Sequence, residues 1–290
     1  MLKNCKTLKE EIINEQLKTI SMLKLRGVTP KLIIILIGND KASETYVKNK
    51  ILLGDKLGIA VTLVQLEKPS KEELIMLIKH YNKDKDTHGI IVQLPLSKHL
   101  QKYEREILDT INPLKDVDCL TTTNIGRLFV GKGEETLVKP CTPYGVMKLL
   151  EESNINIKGK LSVVFGRSEI TGKPLGKLLQ DKGSTVVNIH RDTLENHKEN
   201  ILKIADLVFL CTGQPHMFST KYKQLLKPDV HIIDIGTTFK NGKLVGDLEP
   251  GYKEGYYTPT PGGTGQLTVV YLLENLLKLT LIQLNTKGVK

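Results

Sequence analysis

The sequence predicts a two-lobed α/β fold in which each lobe has a parallel sheet covered by helices. Its 290 residues are about twice the length of a typical domain. Short β-branched stretches alternate with stretches whose apolar residues have helical spacing, a pattern typical of parallel sheets. The loop-rich segment 112–139 interrupts this alternation, so we take it as the junction between the lobes.

The first alternating series runs from the N-terminus to the junction. Its helices are predicted at 6–27, 42–58 and 70–84, and its strands at 31–38, 60–66 and 89–96. Glycines end the first helix and the first strand, and a proline ends the third strand, where each residue type breaks the preceding element. We expect residues 1–118 to form the first lobe, completed by residues 267–290.

The second series follows the junction and gives the second lobe, residues 119–266 with connecting segments. Its helices are predicted at 142–153, 173–183, 194–205 and 267–284, and its strands at 160–166, 184–190, 206–213 and 231–236. The last of these helices follows the glycines of PGGTGQ, and we expect it to pack on the first lobe.

The formal charge is +10, from 42 basic and 32 acidic residues. The lysines are spread along the chain, aromatic residues are 5% and tryptophan is absent, which favours a solvated lysine surface over a nucleic-acid site. An anionic small-molecule ligand is compatible with this charge.

Cysteine spacing and hydropathy favour a cytoplasmic protein with no membrane partner. Cys5, Cys119, Cys141 and Cys211 form no CxxC motif, as expected of reduced thiols rather than a disulfide framework or a zinc site. The longest purely apolar stretch, at 32–37, is far shorter than the ~20 residues that span a bilayer.

A glycine-containing turn in the second lobe is a candidate phosphate site. Gly166 ends a strand, and Gly172 and Gly176 follow where a helix begins, so a phosphate could approach the backbone and the helix N-terminus. A simple turn between strand and helix is the alternative. The next strand ends in His190–Arg191, and a basic residue there accommodates the 2′-phosphate of NADP, whereas an acid such as Asp192 would favour NAD.

Two candidate sites lie in the first lobe. Tyr46 and Lys50 are four residues apart and share a helix face, although this spacing alone is usually without meaning. Gln93 lies near the end of a predicted buried strand, and ligands bind beyond the strand ends of open α/β sheets. Its amide could orient a ligand there, or it could bond to local backbone. Asp116 and Asp118 are two apart, so in an extended segment they would share a face. Asp118 could pair with an amino-pyrimidine edge, or both could be surface carboxylates.

The candidate site residues lie in sequence segments that occur in one order over residues 32–276. Together these segments resemble a known enzyme family. The family is bifunctional methylenetetrahydrofolate dehydrogenase/methenyltetrahydrofolate cyclohydrolase. The matching segments are SETYVKNK, GIIVQLPL, PLKDVDCL, KPCTPYGV, VVFGRSEITGKP, IIDIG with GKLVGDLE, and TPTPGGTGQLT.

The resemblance implies a parallel-sheet catalytic lobe and a Rossmann-like NAD(P)-binding lobe, with NADP rather than NAD as cofactor. We expect no metal, because no further ligand cluster accompanies Asp116 and Asp118. It also implies tetrahydrofolate derivatives as ligands and a homodimer, in one-carbon metabolism. The implied catalytic residues are Lys50, Gln93, Tyr46 and Asp118. The implied folate-binding residues are Tyr46, Gln93, Leu94, Pro95, Asp118, Pro261, Gly262 and Gly263. The implied cofactor-binding residues are Gly166, Arg167, Ser168, His190, Arg191 and Thr237.

The chain departs from the family pattern at three places. Cys119 replaces a glycine, Gln266–Leu267 replaces Pro-Met, and Thr237–Thr238–Phe239 replaces Ile-Asn-Arg. The last change bears on cofactor affinity and on the preference for NADP, and it allows cyclohydrolase activity with little dehydrogenase activity.

Two other functions remain as alternatives. A short-chain-type dehydrogenase would use Tyr46 and Lys50, but there the pair follows the nucleotide-binding turn, whereas here it precedes the turn. A non-catalytic nucleotide- or RNA-binding protein would exploit the positive charge, and its binding would depend on salt.

Overall fold

The computed structural model describes residues 1–131, 137–240 and 242–287. The chain divides into two compact units. The N-terminal unit comprises Ile12–Lys139 and Val269–Lys290, and the C-terminal unit comprises Met1–Glu11 and Pro140–Thr268. Within the predicted junction loop, residues 132–136 of the GKGEET tract lie outside the described residues.

Ten α-helices, one 3-10 helix at Gln101–Tyr103 and nine strands are present in the described ranges. The helices are α1 Cys5–Leu25, α2 Lys41–Leu57, α3 Lys71–Lys83, α4 Glu104–Asp109, α5 Thr122–Val130, α6 Cys141–Glu152, α7 Gly172–Asp181, α8 Glu195–Ile204, α9 Thr220–Lys223 and α10 Gly265–Lys287. The strands are β1 Lys31–Ile37, β2 Ala60–Leu66, β3 Gly89–Val92, β4 Leu161–Phe165, β5 Thr185–Ile189, β6 Leu207–Leu210, β7 His231–Asp234, β8 Thr237–Lys240 and β9 Lys243–Gly246.

The N-terminal unit is built on a parallel sheet with the order β2-β1-β3. β1 is central and apolar after its first residue, and its side chains from Leu32 to Ile37 are all buried, as expected of a strand covered on both faces. The helices that follow β1 and β2 begin at capping residues. Asp40 accepts from the backbone of Ser43, and Ser70 forms a capping box with Glu73. These caps place α2 and α3 directly after the carboxyl ends of their strands.

The C-terminal helix α10 returns the chain to the N-terminal unit. The Asn275 amide donates to the carbonyls of Val117 and Lys139 at 2.9 and 2.8 Å, and the Gln283 amide donates to His88 and Leu114. By length and composition, Gly265–Asn285 is the one helix of the described ranges that could cross a membrane, and 61% of its 18-residue apolar window is buried inside the protein. A core helix passes the same test.

The C-terminal unit has a parallel sheet with the order β5-β4-β6-β7 and a separate hairpin of β8 and β9. The chain moves outward from β4 to β5 and then returns to the other side of β4 with β6. This reversal is the switch point of doubly wound folds, where ligands bind beyond the carboxyl ends of the strands.

The structure corrects the predicted junction between lobes. The change of unit falls at Lys139–Pro140 rather than at residues 118 and 119, and the first eleven residues belong to the C-terminal unit. The segment after residue 118 stays with the N-terminal unit because the Asp116 carboxylate binds the backbone of Leu120 and Thr121.

Part of the predicted loop is the helix α5. The Thr121 hydroxyl accepts from the Asn124 backbone and starts the helix, and Leu128 is fully buried. The hairpin of β8 and β9 was also absent from the sequence prediction, which placed no strand after residue 236.

Candidate substrate and cofactor sites

A buried lysine bonded to a half-buried glutamine lies in the N-terminal unit. Lys50, on α2, is 5% exposed, and its ammonium donates to Gln93 Oε1 at 2.8 Å. Gln93 follows β3 directly, and its backbone N–H donates to Ile35 at 2.9 Å, so the residue continues the sheet. Its Nε2 donates to the Leu94 carbonyl at 2.8 Å. Both ends of the Gln93 amide are therefore bonded, and the amide holds the Lys50 ammonium in one position.

Three other predicted residues lie close along the chain to this pair. Tyr46 is on α2 one turn before Lys50 and is half-buried. Leu94 is half-buried, Pro95 is exposed, and the peptide bond between them is cis. The helix periodicity places Tyr46 and Lys50 on one face of α2, as the sequence predicts.

The two aspartates of PLKDVDC have different roles in the structure. Asp116 is 1% exposed and accepts four hydrogen bonds, from the Leu120 and Thr121 backbone, the Thr121 hydroxyl and the Asn124 amide, at 2.7 to 3.0 Å. Burial raises the pKa of its carboxyl, and these bonds oppose the rise. Asp118 is half-buried and makes no hydrogen bond or ion pair to the residues that the structure describes. The expectation of one shared extended face is wrong, because the segment turns at Val117–Asp118.

Cys119 has the backbone conformation of a glycine. Its φ is 60°, in the left-handed region where a side chain is strained, and it is 1% exposed. The thiol contacts the Val138 carbonyl at 3.6 Å. Burial and the carboxylates of Asp116 and Asp118 raise the pKa of this thiol, so it stays protonated next to Asp118.

The glycine turn of the C-terminal unit leaves no room for side chains. Gly166 has a φ of 126°, and a Cβ on it would lie 2.7 Å from the Cys211 carbonyl oxygen. A Cβ on Gly172 would lie 2.5 Å from the Gly166 carbonyl oxygen. The turn between β4 and α7 is therefore closed tightly on itself, which only glycine permits.

Ser168 satisfies the first turn of α7 from within the chain. Its Oγ accepts from Gly172 N at 3.3 Å, and its carbonyl accepts from Lys173 N at 3.0 Å. The next residue is Pro174, which has no N–H. The N–H groups of the helix end, which the sequence led us to expect unpaired, are therefore already bonded. A phosphate at this turn would contact the residues that precede the helix instead.

A cavity of about 420 Å³ opens at the carboxyl ends of β4, β5 and β6. It is lined by Phe165, Gly166, Arg167, Ser168, Ile189, His190, Arg191, Lys198, Cys211, Thr212, Gln214, Met217 and Tyr222. Five of the six predicted cofactor residues are in this set, and Thr237, at the start of β8, is not. A nucleotide is the kind of ligand that such a position at the switch point accommodates.

Asp192 lies at the middle of a group of charged side chains beside the cavity. Arg167 Nη2 donates to Asp192 Oδ2 at 2.7 Å, and Arg191 Nε lies 3.7 Å from Asp192 Oδ1. His190 Nδ1 accepts from the Asp192 backbone N–H at 3.3 Å. Asp192 is thus bound by both arginines. The Arg191 side chain is 86% exposed, so its guanidinium can turn toward a ligand.

Sequence reasoning missed several residues of the cavity wall. Lys198 lies on α8 with its ammonium 3.2 Å from Glu195 Oε2, and the Tyr222 hydroxyl donates to Glu195 Oε1 at 2.8 Å. No local pattern separates Lys198 from the other lysines. Cys211 and Thr212 are the first two residues after β6, as His190 and Arg191 are after β5, so the rule of strand ends could have found them.

The remaining predicted folate residues lie in the loop before α10. Pro261 and Gly262 are exposed, and Gly263 is buried with its Cα against the Pro259 carbonyl, where a Cβ would lie 2.4 Å from the oxygen. Among the residues described, no group of three or more His, Cys, Asp or Glu side chains is arranged to hold a metal ion.

The fold and the sites define a class of α/β protein. One unit is doubly wound, with a cavity suited to a nucleotide, and the other carries a buried lysine bonded to a glutamine. The family model "tetrahydrofolate dehydrogenase/cyclohydrolase, catalytic domain" matches residues 4–118, and the model of the NAD(P)-binding domain of the same name matches residues 140–284. The chain therefore belongs to the tetrahydrofolate dehydrogenase/cyclohydrolase family.

Individual relatives agree over nearly the full chain. The chain is 40% identical to the bifunctional protein FolD of Enterococcus faecalis, over 93% of this chain and 94% of that protein. It is 41% identical to the FolD protein of Bacillus subtilis, over 91% and 92%. A solved methylenetetrahydrofolate dehydrogenase-cyclohydrolase of Trypanosoma brucei, complexed with NADP and inhibitor, has a TM-score of 0.90 at 32% identity and covers 98% of each chain.

Proposed function

We propose that both activities of this family reside in this chain and that NADP is its cofactor. The enzyme oxidises 5,10-methylenetetrahydrofolate to 5,10-methenyltetrahydrofolate and hydrolyses that product to 10-formyltetrahydrofolate, in one-carbon metabolism. Its substrates are tetrahydrofolate derivatives. When bound, NADP would accept the hydride that leaves the folate methylene carbon. Every other part of the chemistry is assigned to residues of this chain.

The Lys50–Gln93 pair is the observation that carries the proposal. An ammonium has three N–H donors, and the Gln93 carbonyl takes one of them. The other two have no partner within the described part of the chain and can hold a water beside the substrate. In the second reaction, this water bonds to the methenyl carbon, the bond from that carbon to N5 breaks, and one proton is released. Lys50 orients the water, and Gln93 orients Lys50, so the attack begins from a prepared geometry.

Folate recognition is assigned to the residues that surround this pair along the chain. The Asp118 carboxylate is unbonded within the described residues and accepts two adjacent N–H groups of the pterin, for which a carboxylate has matching geometry. Tyr46 stacks on the folate ring system, with Leu94 and Pro95 beside it. The contribution of Pro261, Gly262 and Gly263 rests on the motif TPTPGGTGQLT alone.

Cofactor recognition is assigned to the cavity of the C-terminal unit. The turn of Gly166, Arg167 and Ser168 binds the phosphates, and His190 and Arg191 bind the adenosine end. Arg167 donates to the Asp192 carboxylate and Arg191 lies beside it, so its charge is largely neutralised; this makes it a weaker acceptor for a ribose 2′-hydroxyl and favours NADP over NAD. The assignment of Thr237 to cofactor binding rests on family resemblance.

The remaining parts of the proposal concern the state of the protein in the cell. We propose a homodimer with no nucleic-acid or membrane partner, located in the cytoplasm. The free thiols support a reducing compartment, since three of the four are buried and burial raises the pKa of Cys5 to about 11.

A spectrophotometric assay of the purified protein tests the proposal. One arm supplies methylenetetrahydrofolate with NADP or NAD and follows methenyltetrahydrofolate, and the other supplies methenyltetrahydrofolate alone and follows its decay above the uncatalysed rate. We expect turnover in both arms and a lower KM for NADP than for NAD. Absence of turnover in both arms, with salt-dependent binding to RNA, would support the nucleic-acid alternative instead.

A further inference from the structure

Two buried carboxyl groups lie where three loops of the C-terminal unit meet. Asp234 ends β7 and is 2% exposed, and Asp247 follows β9 and is 1% exposed. The two are linked, because the Asp247 backbone N–H donates to Asp234 Oδ1 at 3.1 Å. Neither residue lines the cofactor cavity, and the proposed function assigns neither of them to substrate or cofactor binding.

Asp247 holds the turn that follows β6. Its Oδ2 accepts from Thr212 N at 2.6 Å, from the Thr212 hydroxyl at 2.8 Å and from Gly213 N at 3.2 Å. Three donors thus converge on a single oxygen, an arrangement that a charged acceptor satisfies best. Thr212 and the nearby Gln214 form part of the cofactor cavity wall, so this oxygen fixes that wall from behind.

Asp234 holds the segment before α10. Its Oδ2 accepts from Leu248 N at 3.1 Å and from the Thr260 hydroxyl at 3.4 Å. Its backbone carbonyl accepts from the hydroxyls of Thr258 and Thr264 at 3.1 and 3.2 Å. The loop that contains Pro261–Gly263 is therefore tied at both ends to β7.

The hairpin of β8 and β9 rests directly on both carboxyls. A Cβ on Gly236 would lie 2.1 Å from Asp247 Oδ1, and a Cβ on Gly246 would lie 1.9 Å from Asp234 Oδ2. The Thr238 hydroxyl donates to the Gly213 carbonyl at 2.6 Å, which joins the hairpin to the same turn. Asp247 Oδ1, packed against Gly236, is buried and has no hydrogen-bond partner among the residues that the structure describes.

We propose that Asp247 is a positioning residue for the dehydrogenase reaction. It fixes the Thr212–Gly213 turn in the cavity wall, and through Gly236 it fixes the start of β8, where Thr237 lies. The inference rests on the proposed function, because it assigns the cavity to NADP. The unpartnered Oδ1 agrees with it, since a residue kept only for stability would not leave a buried carboxylate oxygen unbonded.

The test separates the two activities of one protein. Asp247→Leu removes the acceptor for all three donors, Asp247→Asn keeps one neutral acceptor oxygen, and Asp229→Asn is the control at an exposed aspartate of the same unit. For each variant, NADP binding is measured by isothermal titration calorimetry, the KM for NADP is measured, and cyclohydrolase activity is assayed on methenyltetrahydrofolate without cofactor. Cyclohydrolase activity needs only Lys50, Gln93 and the folate contacts.

We expect Asp247→Leu to raise the Kd and KM for NADP at least ten-fold, with Asp247→Asn between it and wild type. Cyclohydrolase kcat/KM should stay within two-fold of wild type. Parallel loss of both activities in Asp247→Asn, or unchanged NADP binding in either variant, would overturn the inference. If Asp247→Leu does not fold, Asp247→Asn decides. A wild-type protein that lacks both activities would overturn the proposed function instead.

Discussion

Asp116 and Asp118 are two residues apart and chemically identical, and the structure predicts opposite consequences for their loss. Asp116→Ala removes the acceptor of four buried hydrogen bonds that start α5. Asp118→Asn leaves the described contacts unchanged and removes the charge proposed to bind the pterin. The first substitution should affect folding, and the second should affect substrate binding.

The magnitudes follow from the contacts. A buried donor that loses its partner costs roughly 1–3 kcal/mol, and even if water reaches half of the four donors, Asp116→Ala lowers the free energy of unfolding by at least about 2 kcal/mol. Asp118 is half-buried and unbonded, so Asp118→Asn changes that free energy by no more than about 0.5 kcal/mol. Loss of hydrogen bonds to a charged group, about 1.5–3 kcal/mol, raises the KM for folate by roughly ten-fold or more.

Urea denaturation followed by circular dichroism gives the first quantity, and steady-state kinetics with varied methylenetetrahydrofolate gives the second. The reasoning is refuted if Asp116→Ala unfolds at the wild-type urea concentration, or if Asp118→Asn keeps the wild-type KM. A loss of stability in Asp118→Asn equal to that of Asp116→Ala would show that both carboxylates are structural.

Three further predictions concern strain, specificity and pH. Because Cys119 has a φ of 60°, Cys119→Gly relieves strain that Cys119→Ala keeps, so the glycine variant should be the more stable by about 1 kcal/mol in urea denaturation, and the opposite order would refute the strain. Arg191→Ala should raise the KM for NADP roughly ten-fold and leave the KM for NAD near wild type, with Arg26→Ala as the control, whereas equal effects would remove Arg191 from the 2′-phosphate site. Burial, with a contribution from Asp247, raises the pKa of Asp234 from 3.8 to about 7. The native state then binds more protons than the unfolded state between these values, so the free energy of unfolding should fall by up to about 4 kcal/mol as pH rises from 4 to 7 and level off above. Asp234→Asn should lack this component of the slope, and an unchanged slope in the variant would contradict it.

Much of the fold was predictable because its elements are consistent locally. β1 is a run of β-branched and leucine residues between turn signals, and α3 has a capping box with helical spacing after it. α5 was missed because its sequence, TTNIGRLFV, contains β-branched residues and a glycine, which favour helix poorly. Its start depends on Asp116 and Thr121, whose contact forms only when the segment folds back after β3. The hairpin of β8 and β9 carried a signal that was overlooked, the Asn-Gly dipeptide at 241–242.

The candidate site residues were predictable where they lie just after a strand or within one of the ordered family motifs. The bond between Lys50 and Gln93 joins residues 43 apart, and the family resemblance had named both as catalytic residues. Lys198 and Asp247 were not found, because their positions depend on contacts that no local spacing encodes. Thr212 and Asp247 are 35 residues apart, and only the folded sheet brings them together.

The central claim is that Lys50, held by Gln93, carries the cyclohydrolase reaction, and Lys50→Met tests it most directly. Methionine keeps the length and the apolar stem of the side chain and removes the ammonium. Lys48→Met, at an exposed position of the same helix, is the matched control. With both variants shown to be folded by circular dichroism, we expect Lys48→Met to hydrolyse methenyltetrahydrofolate at the wild-type rate and Lys50→Met to show no activity above the uncatalysed rate. Wild-type cyclohydrolase activity in Lys50→Met would contradict the account.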